Sequence, residues 1–345
     1  MNLYLYYPNL ESYKKSFKNL FETKSFTQIK QYLRALEYEV DQVSFQYQVQ
    51  YEAIWEIRKL YWDNANLQSL IYWFYFWNDT CEFLIPSLDE LKEFISEVWK
   101  FSKQDWTRKR SVALITPPLW NFWVKKLEVL FEYLNNESER WNKNLWEIVI
   151  NDYWTLNLIQ EKYKNLRPIL WRLFNKAQRN PVMWDAVHPQ IPAQLWKKVF
   201  DKIKWNQEEY YHSNPLDLDI YRDAFKNICW IDRFWLDHVW MWIKEEIWAN
   251  WNKLDIYFPY AITACWRNCA TRWIHEKTGE WYVSDLPCQK YCTKYDVFLK
   301  DWLHKEWITQ RWNAVWQTYA SFQNIDDSIL NNWENRLIFE AFIPI

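Results

Sequence analysis

The sequence predicts an α/β fold whose simplest form is a TIM-like (β/α) barrel, and three observations carry that prediction. Short apolar runs alternate with amphipathic stretches along most of the chain, as they do in a parallel sheet whose crossovers are helices. The runs number seven, nearly enough to close a barrel. A chain of 345 residues can bury one large core or two modest ones. An open doubly wound sheet satisfies the same alternation, and in either fold function belongs at the C-terminal ends of the strands.

Taken in order, residues 1–41 read as an N-terminal helical extension, because Leu10, Tyr13, Phe17 and Leu20, then Ile29, Leu33 and Leu36, recur three and four apart. The period then changes. Val43, Phe45, Tyr47, Val49 and Tyr51 alternate with Ser and Gln, the mark of a strand with one polar face. Further strand runs lie at 69–77, 112–115, 146–150, 168–170, 231–236 and 254–262. Between them, Ser87 with Glu90 makes a capping box for a helix to about residue 103, and residues 122–134 are helical. Pro192 suits the first turn of a helix to residue 204, and residues 220–228 carry another helical pattern. The barrel spans 42–300 on this reading, and residues 301–345 form a C-terminal β tail packed on it, with a turn at Asn331, Asn332 and Trp333.

The 42 basic and 44 acidic residues leave a net charge of −2, which advertises neither nucleic acid nor an anionic membrane. No apolar run reaches the ~18 residues of a membrane span. The opening MNLYLYYPNLESYKK lacks a basic-then-apolar leader pattern, so the expected location is the cytoplasm.

The chain holds 29 tryptophans and one glycine. Average usage is about 7% glycine, so roughly two dozen glycines are missing. Trp106 follows Asp105, Trp333 follows Asn332, Trp251 lies between Asn250 and Asn252, and Trp205 and Trp312 each precede Asn. Those are turn settings that favour a residue tolerating positive φ. The pattern implies that most tryptophans stand at UGA codons read as glycine in the source organism, with Trp123 and Trp146 as genuine indoles in apolar patterns. The rival reading is a Trp-rich protein that uses aromatic platforms for sugars or bases.

Six cysteines occur, at Cys81, Cys229, Cys265, Cys269, Cys288 and Cys292. Ala264 to Arg272 and Pro287 to Cys292 give C-x3-C, eighteen residues, then C-x3-C. Four thiolates from two loops can close a tetrahedral zinc site or an iron–sulfur site, and unliganded or disulfide-forming thiols are the plain alternative. Cys81 follows a strand run through Asn78, Asp79 and Thr80; it reads equally as a strand-end ligand and as a buried small hydrophobe. Cys229 reads as core.

With glycine restored at the suspected positions, N-D-Y-W-T-L at 151–156, L-W-R-L-F-N-K-A-Q-R-N-P at 170–181, I-D-R-F-W-L-D at 231–237 and Y-F-P-Y-A-I-T-A-C-W-R-N-C at 257–269 resemble the U32 peptidase-like family. The resemblance covers about residues 40–320 and is nearest the small branch that includes the proteins of oxygen-independent ubiquinone hydroxylation. It implies a TIM-like barrel with a [4Fe-4S] cluster on one early and three late cysteines. Cys81 matches the early position, Cys269 the lone late one, and Cys288 with Cys292 the pair. Cys265 is then surplus, whereas on local spacing it supplies the fourth thiolate, and zinc is the alternative metal. The resemblance further implies a small aromatic or RNA-base substrate, and the non-enzymatic alternative is a barrel whose cysteines hold structural zinc and whose surface binds a partner such as a paralogous barrel. The family's label also raises peptidase activity, for which no Ser, Cys or metal machinery is recognisable.

Other candidates are weaker signals. Arg172, Lys176 and Arg179 follow a strand, where they can hold an anionic substrate or form a solvated basic face. Asn151 and Asp152 end a strand, as polar groups of the barrel mouth or as helix caps. Asp237 and His238 end another, with His238 either catalytic or a satisfied core histidine. No P-loop, G-x-S-x-G elbow or H-E-x-x-H helix is present, even with Trp read as Gly.

Overall fold

The computed structural model describes residues 2–10, 13–14, 49, 52–57, 59–61, 71–104, 111–119, 123–140, 146–171, 218–238, 253–265, 269, 288, 290, 292, 297–300, 307–311, 314–318, 322, 325 and 327–340. Its centre is a closed, all-parallel barrel of eight strands: β1 (Asn2–Tyr7), β2 (Ile71–Phe76), β3 (Ser111–Ile115), β4 (Trp146–Ile150), β5 (Leu166–Leu170), β6 (Arg233–Asp237), β7 (Lys253–Phe258) and β12 (Arg336–Glu340). β12 lies between β7 and β1, and β1 pairs with β2 to shut the circle. A closed parallel sheet has no edge to protect, and both faces of its strands are covered.

Side chains alternate across this wall. Leu3, Leu5, Phe74, Phe76, Ile148, Ile150, Phe234, Leu236, Leu337 and Phe339 join the outer core beneath the helices. Tyr4, Tyr6, Tyr75, Val149, Trp235, Tyr257 and Ile338 join a second core inside the barrel. The helices present apolar stripes to the outer core. In α1 (Leu88–Gln104) these are Leu91, Phe94, Ile95, Val98 and Phe101, at helical spacing. α2 (Val124–Arg140), α3 (Tyr153–Lys162) and α4 (Asp219–Cys229) continue the outer layer.

Local chemistry fixes the helix starts. The capping box at α1 is formed in both directions: Ser87 N–H and Oγ donate to Glu90 Oε2 at 2.7 and 2.9 Å, and Glu90 N–H donates to Ser87 Oγ at 3.2 Å. Asp152 caps α3 by accepting from Thr155 N–H at 2.7 Å. α4 ends at Trp230 with φ 54°, the left-handed C-cap that glycine fills at least cost.

Between β7 and β12 the chain inserts a four-stranded antiparallel sheet, in the order β8 (Tyr260–Cys265), β11 (Ala314–Thr318), β10 (Trp307–Arg311) and β9 (Val297–Lys300). β7 and β8 lie on either side of a cis Phe258–Pro259 bond. α5 (Asp327–Asn331) then leads back into the barrel.

Three boundaries differ from the sequence reading. Residues 2–7 are a barrel strand, not part of a helical extension; helical spacing begins only after them. Within the expected strand at 43–51 the one described residue, Val49, is helical, and residues 52–57 are helical as well. The expected tail is β structure, but β12 is an integral stave, so the barrel runs from Asn2 to Glu340 and not over 42–300. The expected helix at 192–204 and residues 15–41 lie outside the described residues.

Candidate functional site

β2 ends at Phe76, and the turn that follows carries Cys81 to the C-terminal mouth of the barrel. Trp77 sits at φ 101°, a conformation open to glycine and unfavourable for an indole-bearing residue. Asn78 then organises the turn with one oxygen. Its Oδ1 accepts from Thr80 N–H at 2.9 Å, from the Thr80 hydroxyl at 3.2 Å and from Cys81 N–H at 2.6 Å, an Asx turn. Cys81 opens the 3-10 turn Glu82–Leu84.

Asn151, at the end of β4, ties that turn to its neighbours. Its Nδ2 donates to Asp79 O at 3.0 Å and also to Thr116 O. The Thr116 hydroxyl donates to Val149 O at 2.9 Å. One amide therefore joins the ends of β2, β3 and β4. Asp152 is the α3 cap, and its Oδ2 also accepts from Leu119 N–H at 3.0 Å. Burial raises its pKa, and the hydrogen bonds from Thr155, Leu119 and Trp154 pull it back.

The segment between β8 and β9 carries the other thiols. Cys269 follows β8, and Cys288 and Cys292 precede β9. Tyr260, Ile262, Ala314 and Trp316 of the inserted sheet are buried in one cluster with Cys81, Cys292, Trp171, Trp235 and Tyr257, so the sheet covers the barrel mouth. Burial pushes the Cys81 thiol well up, and the charges of Cys292, Cys269 and Cys288 push it further. Those three thiols thus lie within electrostatic range of Cys81. Lys290 N–H donates to Cys288 Sγ at 3.3 Å.

Among the described residues, no three His, Cys, Asp or Glu side chains are already drawn into a chelating set. The donor chemistry nonetheless fits a four-thiolate group. Thiolates that repel one another inside an apolar enclosure are stabilised by a cation, and binding it releases their protons. Cys265 ends β8 opposite Ala314, and its side chain lies outside the described residues. So do Arg172, Lys176 and Arg179.

Asp237 is buried at the mouth end of β6. Glu340, at the same level of β12, accepts from the Tyr257 hydroxyl. His238 is a satisfied core histidine: its Nδ1 lies 2.9 Å from Tyr257 O and its ring meets Phe258 edge-on at 4.8 Å. Cys229 is half-buried and packs against the outer core, where it also lines a cleft of about 390 Å³ with Tyr153, Trp154, Leu156, Asn157 and Gln160. Sequence reasoning missed Asn78, Thr116 and Glu340. For Asn78 the signal was present, since Asn two and three residues before Thr80 and Cys81 is an Asx-turn pattern.

The opposite end of the interior holds a closed ionic network that sequence reasoning also missed. Arg336 makes a bidentate pair with Glu147 at 2.6 and 2.8 Å. Arg233 donates to Asp255 Oδ1 at 2.7 Å, and the Tyr75 hydroxyl donates to Asp255 Oδ2 at 2.6 Å while accepting from Arg336 at 2.9 Å. Tyr4 stacks under the guanidinium at 4.8 Å, and burial pushes its pKa up to about 12.

Fold and site together define a class: a closed (β/α) barrel whose C-terminal mouth gathers four thiols under an inserted antiparallel sheet. No protein-family model, curated protein or solved structure matches the chain. Among the described residues, no helix is long and apolar enough to cross a membrane.

Proposed function

We propose that this chain is a U32 peptidase-like iron–sulfur protein that assists oxygen-independent hydroxylation of a small aromatic or RNA-base substrate, with Cys81, Cys269, Cys288 and Cys292 holding a [4Fe-4S] cluster. The observation that carries the reading is the meeting of an early thiol on the β2 turn with three late thiols from the segment between β8 and β9. A structural disulfide uses two cysteines, and a buried small hydrophobe needs no second thiol beside it. Four thiols converging from such distant parts of the chain call for a group that uses all four.

The cluster would supply electron transfer or substrate activation. The chain's own residues bind and orient: the Asn78 turn presents Cys81, Asn151 fixes that turn to β3 and β4, and the inserted sheet keeps water from the mouth. A peptidase reading finds less support. A buried thiol whose pKa is raised is a poor nucleophile, and His238 is engaged with Tyr257. A paralogous barrel as partner belongs to the non-enzymatic alternative, in which the thiols hold a structural zinc.

The second part of the proposal concerns the tryptophans. Two of the three described positive-φ residues other than glycine are Trp77 and Trp230, both in settings glycine fits best. Trp171, Trp235 and Trp316 head the largest fully buried side chains among the described residues, and all three belong to the interior cluster that includes Cys81 and Cys292. Glycine at these positions would leave room for a ligand where the indoles now stand. UGG codons at Trp77, Trp171 and Trp230 in the gene would end this part of the reading.

The test of the cluster is iron, acid-labile sulfide and zinc content, with a visible spectrum, after anaerobic purification of protein carrying glycine at the suspected positions. About four irons and four sulfides per chain, lost on Cys81→Ser or Cys288→Ser, support it. One zinc without sulfide shifts the reading to a structural metal and a binding role. Colourless, metal-free protein sinks both.

A further inference from the structure

The Asn78 side chain is fully buried, and its two ends are in different situations. Three donors converge on Oδ1, and two of them, the N–H groups of Thr80 and Cys81, are backbone donors that cannot turn away. Flipping the amide would set its NH2 against both backbone N–H groups, so the orientation is fixed by the hydrogen bonds. Nδ2 is left as a donor with no hydrogen-bond partner among the described residues. A buried donor left unsatisfied costs roughly 1–3 kcal/mol, so a partner is to be expected at this place. The other end of the same amide is bonded to a candidate ligand, since the Cys81 N–H donates to Oδ1 at 2.6 Å.

The geometry points to Asn78 as the residue whose side-chain N–H donates to sulfur of the thiolate-held group and sets its reduction potential. This rests on the cluster reading above. Hydrogen bonds to the sulfurs are among the features that set the potential of an iron–sulfur cluster, because a donor offsets the negative charge that reduction adds. Asn78 is therefore a positioning residue twice over: Oδ1 holds the Cys81 backbone, and Nδ2 faces the electron count. Asn151 is the contrasting case. Its Nδ2 is used up on Asp79 O and Thr116 O, so it braces the turn without a donor to spare.

The experiment uses anaerobically reconstituted full chain labelled with 15N-asparagine. Wild type is compared with Asn78→Asp, which keeps the acceptor and loses the donor, and with uncharged Asn78→Ser. Iron and sulfide content are measured first, then the reduction potential by redox titration and the 15N coupling of the reduced cluster by pulsed electron paramagnetic resonance. The expected result is full cluster content in at least one variant, loss of one 15N coupling, and a potential lowered by about tenfold in the one-electron equilibrium, ~59 mV. The shift in Asn78→Ser shows that charge alone is not its cause. Wild type and a loaded variant with the same coupling, and with potentials within twofold in that equilibrium, overturn this inference and leave the cluster standing. Wild type without iron and sulfide overturns the cluster reading and this inference with it.

Discussion

The two ends of the barrel interior are built on opposite plans. At the N-terminal end, Arg336, Arg233, Glu147, Asp255 and Tyr75 answer one another's charges and hydrogen bonds almost completely, with Arg233 Nε the one side-chain atom of this group left over among the described residues. At the mouth, Asn78 Nδ2, Asn151 Oδ1 and Trp77 Nε1 are buried without partners among the described residues, and burial, then the charges of Cys292, Cys269 and Cys288, hold the Cys81 pKa well up against one backbone hydrogen bond that lowers it. A satisfied network at the bottom of a barrel serves stability, and leftover valence at the top is where chemistry is found. The contrast teaches that burial alone does not mark a site; buried polarity left incomplete does.

The hardest way to break the contrast is at the base. Arg336→Met removes the cation paired with Glu147 and bridged through Tyr75 to Asp255, leaving carboxylates buried with half their compensation. Breaking one partner of such a pair costs about 3–5 kcal/mol. Chemical denaturation should register a loss of that size, while the metal content per folded chain stays unchanged. A loss below about 1 kcal/mol would mean that the network is solvated and that the two ends are not different in kind.

The next test sits at the mouth. Asn151→Ala deletes the amide that joins the ends of β2, β3 and β4, and it leaves Asp79 O and Thr116 O without that donor. The expected destabilisation is about 1–3 kcal/mol, with hydrogen exchange accelerating at Thr80 and Cys81 before it does at the base. Uniform acceleration at both ends would show that Asn151 supports the barrel as a whole.

Much of this architecture was legible in the residues, for a physical reason that also explains what was not. Strands β2 to β7 announce themselves because each is a short apolar run between polar stretches, and α1 because its capping box is local. β1 did not, since Leu3, Leu5 and Tyr7 face the helices while Tyr4 and Tyr6 face the interior, and aromatic residues on both faces leave no polar residue to mark the period. β7 and β8 merged into one run because only Pro259 separates them. β12 read as a tail because its place is set by pairing with β1, a partner more than three hundred residues away. The thiols were visible as candidates by type and spacing, whereas the base network joins charges from β4, β6, β7 and β12 that no local pattern connects.

A smaller effect, of opposite sign, belongs to Trp230. It is largely exposed at φ 54° after α4, so its indole buries little while its backbone occupies the left-handed region. Trp230→Gly should raise stability by about 1 kcal/mol in a thermal or denaturant melt. A loss instead would mean that the indole makes contacts worth more than the backbone relief, and would count against glycine as the natural residue there.

The smallest effect lies on the outer rim of the base, where Arg167 and Lys253 flank Asp232, the latter at 3.3 Å. Burial works to raise the Asp232 pKa, but the hydrogen bond and charge of Arg167, then those of Lys253, bring it below the ordinary 3.8. A carboxyl whose folded pKa is depressed contributes stability above its unfolded pKa, and that contribution is lost as pH falls through the folded value. The stability difference between wild type and Asp232→Asn should therefore be present at neutral pH, fade below about pH 4 and shrink in high salt. The side chain is about a third exposed (32%), so solvent screening keeps the difference under about 1 kcal/mol. If the difference survives at low pH and high salt, the rim pair is held by packing, and the boundary between solvated and sealed charge lies further out than Asp232.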